Sequence, residues 1–197
     1  MDWPDKKIRI QAVPDFHAME IPCFPNWIKF SAYANELMSD AFKQAADIVV
    51  FHHHDKDEPV MHPDTLYTPI MYLYRHSIEL MLKEFVFQSN AQNLIDSDKA
   101  KAALSGHNLH KLWNLVKPVI IANNPKGNSE IPKNAEIILR DLHDADPDGQ
   151  TFRYATSTNG NVTSDTYPDH VDLKRIHAGV SALHAFLSGC LSQISEQ

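Results

Sequence analysis

The segment Asp64–Gln88 reads DTLYTPIMYLYRHSIELMLKEFVFQ and carries the strongest hydrophobic pattern of the chain. At about 100° of rotation per residue, one side of a helix collects most of its large apolar side chains. They are Tyr67, Ile70, Met71, Tyr74, Ile78, Met81, Leu82 and Phe85. Leu73, Leu80 and Phe87 fall on nearly the opposite side. Two apolar faces need two packing partners, so the segment predicts a central helix within an all-helical fold.

Four further segments show helical spacing of apolar residues. They run from Ser31 to about Phe51, from Leu109 to about Ala122, from Lys133 to Ala145 and from Asp172 to Ser192. Turn-forming residues separate these segments. The pattern therefore predicts an all-α fold of four to five helices.

The two remaining stretches of the chain lack helical spacing. Residues 1–30 contain Pro4, Pro14, Pro22 and Pro25, and each proline removes a backbone donor, so we expect an extended N-terminal segment. We expect residues 31–197 to form a single helical-bundle domain. Near residues 150–168, the dipeptide Asn159-Gly160 suits a tight turn, which predicts a short hairpin or an ordered loop.

Composition narrows the class of protein. The chain has 197 residues, of which 43% are hydrophobic, and this is enough for one buried core. A formal net charge of −7 argues against broad, sequence-independent contact with nucleic acid, although a small basic pocket is compatible with it. The sequence shows neither a signal peptide nor an apolar run of about 18 residues. We expect a soluble, cytoplasmic protein with no membrane partner.

Common catalytic motifs are missing from the sequence. It has no glycine-rich phosphate loop, no G-x-S-x-G, no C-x-x-C and no H-E-x-x-H. Histidine is abundant, with 12 residues, and three of them could meet around a metal ion if the helices brought them together. These are His76, His107 and His110. A histidine-ligated metal hydrolase is therefore a less favoured alternative, and we expect no cofactor.

The centre of the predicted helix 64–88 is charged. Arg75, Glu79 and Lys83 alternate in sign at a spacing of four residues, which favours a ladder of ion pairs on the surface. The alternative is that Arg75 is partly buried, because a buried guanidinium is held by a carboxylate or reserved for an anionic ligand. Both interpretations stay open at this point, and the surface ladder is the one the spacing favours.

Three motifs resemble those of the HEPN superfamily of helical-bundle domains over residues 64–192. They are YRHSIELMLKEF, GHNLHKLWNLV and the acidic turn DADPDGQTFRYAT, in that order. The resemblance implies an antiparallel bundle that dimerises, and a setting in bacterial defence or toxin–antitoxin systems. We expect the dimer to form through Leu73, Leu80 and Phe87, which make the second apolar face of the central helix.

Many HEPN domains are metal-independent ribonucleases with an Arg-x4-6-His motif, and no arginine of this chain is followed by histidine at that spacing. The resemblance therefore implies a binding or regulatory module, with RNA, a nucleotide or a cognate protein as partner. The alternative is a divergent ribonuclease that uses Arg75, His76 and Arg153. The candidates for ligand binding or for a buried polar network are Arg75, His76, Glu79, His107, Arg153 and Tyr154.

Overall fold

A computed structural model of the chain describes residues 34–52, 63–124, 130–157 and 159–195. Within them six α-helices follow one another: α1 Ala34–His52, α2 Pro63–Ala91, α3 Ser97–Leu104, α4 Leu109–Asn123, α5 Glu130–Ala145 and α6 Leu173–Ser195. The described residues contain no β-strand beyond an isolated antiparallel bridge between Thr156 and Val162. The predicted all-α class is confirmed. The predicted N-terminal segment 1–30 lies outside the described residues.

Helix α2 occupies the centre of the bundle, as its apolar pattern predicts. It packs against α1, α3, α4 and α6, and its contact with α1 is the most extensive. Most of the wide apolar face is buried, with Ile70, Tyr74, Ile78, Met81 and Phe85 fully inaccessible. At 1.5 Å per residue, a helix of this length spans about 43 Å, long enough to contact every layer of a small domain.

The second apolar face of α2 is largely covered by the chain itself. Leu80 is 8% exposed and Leu73 is half-buried, whereas Phe87 is 53% exposed. Of the three residues predicted to form a dimer interface, only Phe87 therefore presents a large apolar surface to solvent.

The short helix α3 was not predicted. Asn93 adopts a left-handed φ of 58°, and the amide of Leu94 donates to the carbonyl of Ser89 at 2.9 Å, which closes the end of α2. Asp96 then starts α3 by accepting a hydrogen bond from the amide of Lys99. The buried residues of α3 are only Ala100 and Ala103, and alanines give a weak hydrophobic signal.

The region predicted as a hairpin or ordered loop is an ordered loop. Gly160 has a φ of 80°, which the turn after residue 157 requires, and the loop continues into a short 3-10 helix at Thr163–Thr166. The buried Phe152 ring packs edge-on against Tyr67 of α2, with their centroids 5.8 Å apart. Tyr167 contacts the same Tyr67 ring at 5.4 Å. This aromatic cluster attaches the loop to α2.

A further structural finding concerns membranes. Among the helices of the described ranges, none combines the length and the apolar character that crossing a bilayer requires.

Candidate functional site

The acidic turn after α5 is organised by the buried side chain of Asp146. One carboxylate oxygen, Oδ1, accepts hydrogen bonds from the amides of Gln150 and Thr151 at 2.8 and 2.9 Å. Gly149 completes the turn with a φ of 77°, a conformation that side chains with a Cβ rarely adopt. The turn is thus closed by one carboxylate and one glycine.

Arg75 of α2 joins this turn to the rest of the bundle. Its Nε donates to the carbonyl oxygen of Asp146 at 2.9 Å and lies 3.2 Å from the carboxylate oxygen Oδ2 of the same residue. Its Nη2 donates to the carbonyl oxygen of His107 at 2.6 Å, and its Nη1 to Glu79 Oε2 at 2.7 Å. Every nitrogen of the guanidinium is therefore engaged by the protein, and the residue is only 2% exposed.

Glu79 is the second charged member of this network. Its Oε1 lies 2.8 Å from Lys83 Nζ and 2.8 Å from His107 Nδ1. Burial alone would raise the pKa of Glu79, but its contacts with Lys83, Arg75 and His107 outweigh burial and lower the pKa to about 2. The carboxylate is therefore ionised at neutral pH while its side chain is almost fully buried.

The surface-ladder interpretation is wrong for Arg75 and Glu79, because both are buried. The turn at residues 146–151 and the chain at His107, just before α4, cover this side of α2. Lys83 keeps the predicted spacing and pairs with Glu79 from a more exposed position. The structure thus brings together three of the six predicted site residues in one polar network, in which Arg75 and Glu79 are buried and the His107 side chain is about half exposed.

His76 lies apart from this network, although it follows Arg75 directly. Its ring stacks on Tyr72, with centroids 5.6 Å apart, and meets the Phe42 ring of α1 edge-on at 4.6 Å. Burial lowers the pKa of His76 below its ordinary value, so the imidazole is neutral at pH 7. Successive residues of a helix point about 100° apart, which explains why Arg75 and His76 face different neighbours.

Arg153 and Tyr154 are exposed and adjacent at the surface of the loop. The guanidinium carbon of Arg153 lies 5.1 Å from the centroid of the Tyr154 ring, and Nη2 donates to the Tyr154 hydroxyl at 3.1 Å. The two residues border a cleft of about 390 Å³ together with Thr68 and Tyr72 of α2. They also border an adjacent cleft of about 300 Å³ that reaches Thr163–Thr166. An exposed cation and an aromatic ring therefore stand side by side at an open cleft.

The three histidines considered for a metal site do not converge. His107 Nδ1 faces Glu79, whereas the His110 ring packs against His143 of α5 with centroids 4.3 Å apart. Across the described ranges, no three His, Cys, Asp or Glu side chains are grouped closely enough to hold a metal ion.

A polar cluster between α1, α2 and α6 escaped the sequence analysis. Tyr74 donates its hydroxyl hydrogen to Asp47 Oδ1 at 2.8 Å, and His177 Nδ1 lies 2.9 Å from the same oxygen. Burial raises the pKa of Asp47, but Lys43, Tyr74 and His177 outweigh burial and hold the pKa below its ordinary value. The sequence does contain a sign of this cluster, because Asp47 and His177 are polar residues placed among the apolar positions of α1 and α6.

A second buried cluster lies two turns further along α6. The Ser39 hydroxyl hydrogen-bonds with the carbonyl oxygen of Ser77 at 2.8 Å and lies 3.0 Å from His184 Nε2. Asp40 Oδ1 lies 3.4 Å from the same nitrogen. Burial lowers the pKa of His184. Because His177 and His184 are seven residues apart, both face α1, and the two clusters form one polar seam.

Comparison with known proteins found no match for the chain among protein-family models, curated proteins or solved structures.

We expect Gly149→Ala to destabilise the protein more than Gly160→Ala. Both glycines have a left-handed φ, which costs an alanine about 1 to 2 kcal/mol. A Cβ at Gly149 would lie 3.2 Å from Arg75 Nη1, which its hydrogen bonds hold in place, whereas a Cβ at Gly160 meets nothing within 4 Å. Overpacking adds about 1 to 3 kcal/mol at Gly149. Urea denaturation of both variants measures the difference, and equal losses would contradict the proposed rigidity of Arg75.

The Glu79 carboxylate should make stability pH-dependent in acid. Because its folded pKa of about 2 lies below the unfolded value of 4.5, its contribution is complete above pH 4.5 and is lost as the pH falls towards 2. The difference in unfolding free energy between wild type and Glu79→Gln should shrink by about 3 kcal/mol over this interval. Denaturation of both proteins from pH 6 downwards tests this expectation, and a pH-independent difference would refute it.

Proposed function

We propose that the chain is a non-catalytic, HEPN-like binding or regulatory module. Its proposed ligand is a nucleotide unit, either free or within single-stranded RNA, bound at Arg153 and Tyr154. The observation that carries the proposal is the exposed Arg153 guanidinium, which lies against the Tyr154 ring at the border of two adjoining clefts.

The chemistry of this surface suits a nucleotide. An exposed aromatic face stacks on a nucleobase whatever its sequence, and an arginine fork matches the geometry of a phosphate. Tyr154 is 50% exposed and so has a free surface for such stacking. The clefts, at about 390 and 300 Å³, are of the size that holds a small ligand. The net charge of −7 favours this local contact over a long RNA-binding surface.

The contacts of Arg75 and His76 on α2 favour RNA or nucleotide binding over RNA cleavage. Metal-independent RNA cleavage needs a general base near the 2′-hydroxyl and a cation for the negative charge that develops on phosphorus. Each nitrogen of the Arg75 guanidinium already donates within the buried network, and His76 is packed between the rings of Tyr72 and Phe42. Two of the three residues of the alternative ribonuclease are thus already engaged within the fold.

The biological setting is proposed from the HEPN resemblance alone. We extend the proposal to a cytoplasmic protein of a bacterial defence or toxin–antitoxin system, where a cognate protein partner would accompany the bound nucleotide. A co-purification with the products of neighbouring genes tests this setting separately from ligand binding.

Nucleotide binding is tested by fluorescence anisotropy with a labelled single-stranded RNA of mixed sequence, and by calorimetry with UMP and AMP. We expect Arg153→Ala and Tyr154→Ala each to weaken binding about tenfold, because each removes one contact worth about 1 to 3 kcal/mol. Arg140→Ala is the matched control, since Arg140 is an exposed arginine on α5 whose nearest charged partner is Asp141 at 3.8 Å.

The RNA and mononucleotide binding experiments, together with an RNA cleavage assay, distinguish a strand-binding protein, a nucleotide-binding protein and a ribonuclease. Binding of RNA without binding of UMP or AMP would identify a strand as the ligand, and binding of both would identify the nucleotide unit. Absence of binding in both arms, or equal binding by Arg153→Ala and Arg140→Ala, would refute the proposed site. RNA cleavage in the presence of a chelator that Arg75→Ala abolishes would instead support the ribonuclease.

A homodimer through Leu73, Leu80 and Phe87 stays a prediction. Because Leu80 is buried within one chain and Phe87 is exposed, we expect the Phe87 end of α2 to contribute most to such an interface. Phe87→Ser should shift a dimer towards monomer in light scattering at micromolar concentration. A monomeric wild type under the same conditions would refute the dimer.

A further inference from the structure

A larger cleft lies on another side of α2, where α5 and the start of α6 meet it. Its volume is about 450 Å³, within the range of about 300 to 1,000 Å³ that small-molecule sites occupy. Its walls are mainly apolar. They are formed by Tyr67, Met71, Ile138, Leu142, Ile176 and Val180. A cleft of this size and lining can shield a hydrocarbon or aromatic body from water.

The mouth of the cleft carries one cation without an ion-pair partner. Asp141, Asp172 and Arg175 all line it. Asp172 Oδ1 accepts a hydrogen bond from the backbone amide of Arg175 at 3.0 Å, and Asp141 lies 3.8 Å from Arg140 Nη2. The Arg175 guanidinium itself pairs with no carboxylate in the described ranges of the chain. Its fork is therefore available to a planar anion.

His170 adds a second polar group to the same mouth. A neutral imidazole carries one N–H donor, and it can share a carboxylate with an arginine. The cleft thus has an apolar interior, and its lining also includes the Arg175 guanidinium, the His170 imidazole and the carboxylates of Asp141 and Asp172.

We propose that this cleft binds a small amphipathic carboxylate, a molecule with an apolar body and a single carboxylate head. The body lies against Met71 and Ile176, and the head meets Arg175 and His170. This inference does not depend on the nucleotide site at Arg153, because the residues that line the two sites are different.

Gly179 provides a direct way to close the cleft. It lines the cleft on α6, and a Cβ built there meets no atom within 4 Å. The Cβ of a leucine at this position therefore has room, and we expect the rest of the side chain to enter the cleft. Gly189 lies on the same helix, has equally open surroundings and does not line the cleft. Gly179→Leu and Gly189→Leu make the same chemical change in one helix, so they form a matched pair.

The test uses calorimetry with octanoate as the probe and 1-octanol as its uncharged counterpart. We expect octanoate to bind wild type with a dissociation constant of about 1 mM or lower, and octanol about tenfold more weakly because it lacks the charge. Gly179→Leu should weaken octanoate binding at least about tenfold, while Gly189→Leu binds as wild type does. Circular dichroism confirms that both variants are folded.

The carboxylate contact is tested by Arg175→Gln, with Lys174→Gln as its control. Lys174 is the neighbouring exposed cation and does not line the cleft. Arg175→Gln should reduce octanoate affinity to that of octanol, and Lys174→Gln should leave it unchanged. The proposal is overturned if wild type does not bind octanoate, if folded Gly179→Leu binds it like wild type, or if Arg175→Gln keeps the preference for octanoate.

Discussion

Burial of the Arg75 guanidinium, which is only 2% exposed, requires that its charge be paired and that its nitrogens find acceptors, because an unpaired buried charge costs several kcal/mol. The acceptors come from three separate parts of the chain: Glu79 within α2, the carbonyl of His107 just before α4, and the carbonyl of Asp146 after α5. Arg75 can be buried only where these three parts meet. The Arg75 side chain therefore fixes the position of the acidic turn relative to α2 and α4.

The same constraint connects the fold to the proposed ligand surface. Asp146 closes the turn through the amides of Gln150 and Thr151, and the chain then places Phe152 in the aromatic cluster with Tyr67. With Phe152 buried, the next two side chains, Arg153 and Tyr154, are exposed at the cleft. The network thus holds the loop that presents these residues, and it also removes Arg75 from any role as a ligand contact.

Much of the architecture could be predicted from the sequence because the spacing of large apolar residues indicates which face of each helix is buried. The five predicted helices are present, and the wide face of α2, including Tyr74 and Ile78, is buried as its spacing indicates. Helix α3 was missed because its buried residues, Ala100 and Ala103, contribute little hydrophobic signal. Its capping residue Asp96 was the signal that could have revealed it.

The candidate site could be predicted only in part. Arg75 and Glu79 are four residues apart whether the pair lies on the surface or in the core, so their spacing does not predict burial. Two of the acceptors of Arg75 are backbone carbonyls, and no pattern of side chains in the sequence reveals them. His76 and Arg75 belong to the same motif, but adjacent helical residues point in different directions, so the motif does not show which of them share a site. The seam of His177 and His184 against α1 depends on which helices pack together, and sequence spacing alone does not determine that. The HEPN resemblance stays a prediction.

Amide hydrogen exchange of Gln150 and Thr151 tests most directly whether Arg75 holds the acidic turn. Both amides donate to Asp146 Oδ1, so in folded Arg75→Met they should exchange at least about tenfold faster than in wild type. The amide of Leu94, which donates to the carbonyl of Ser89 at the far end of α2, should keep its protection and show that the bundle is intact. Unchanged protection of Gln150 and Thr151 in a folded Arg75→Met protein would contradict the central role given to Arg75.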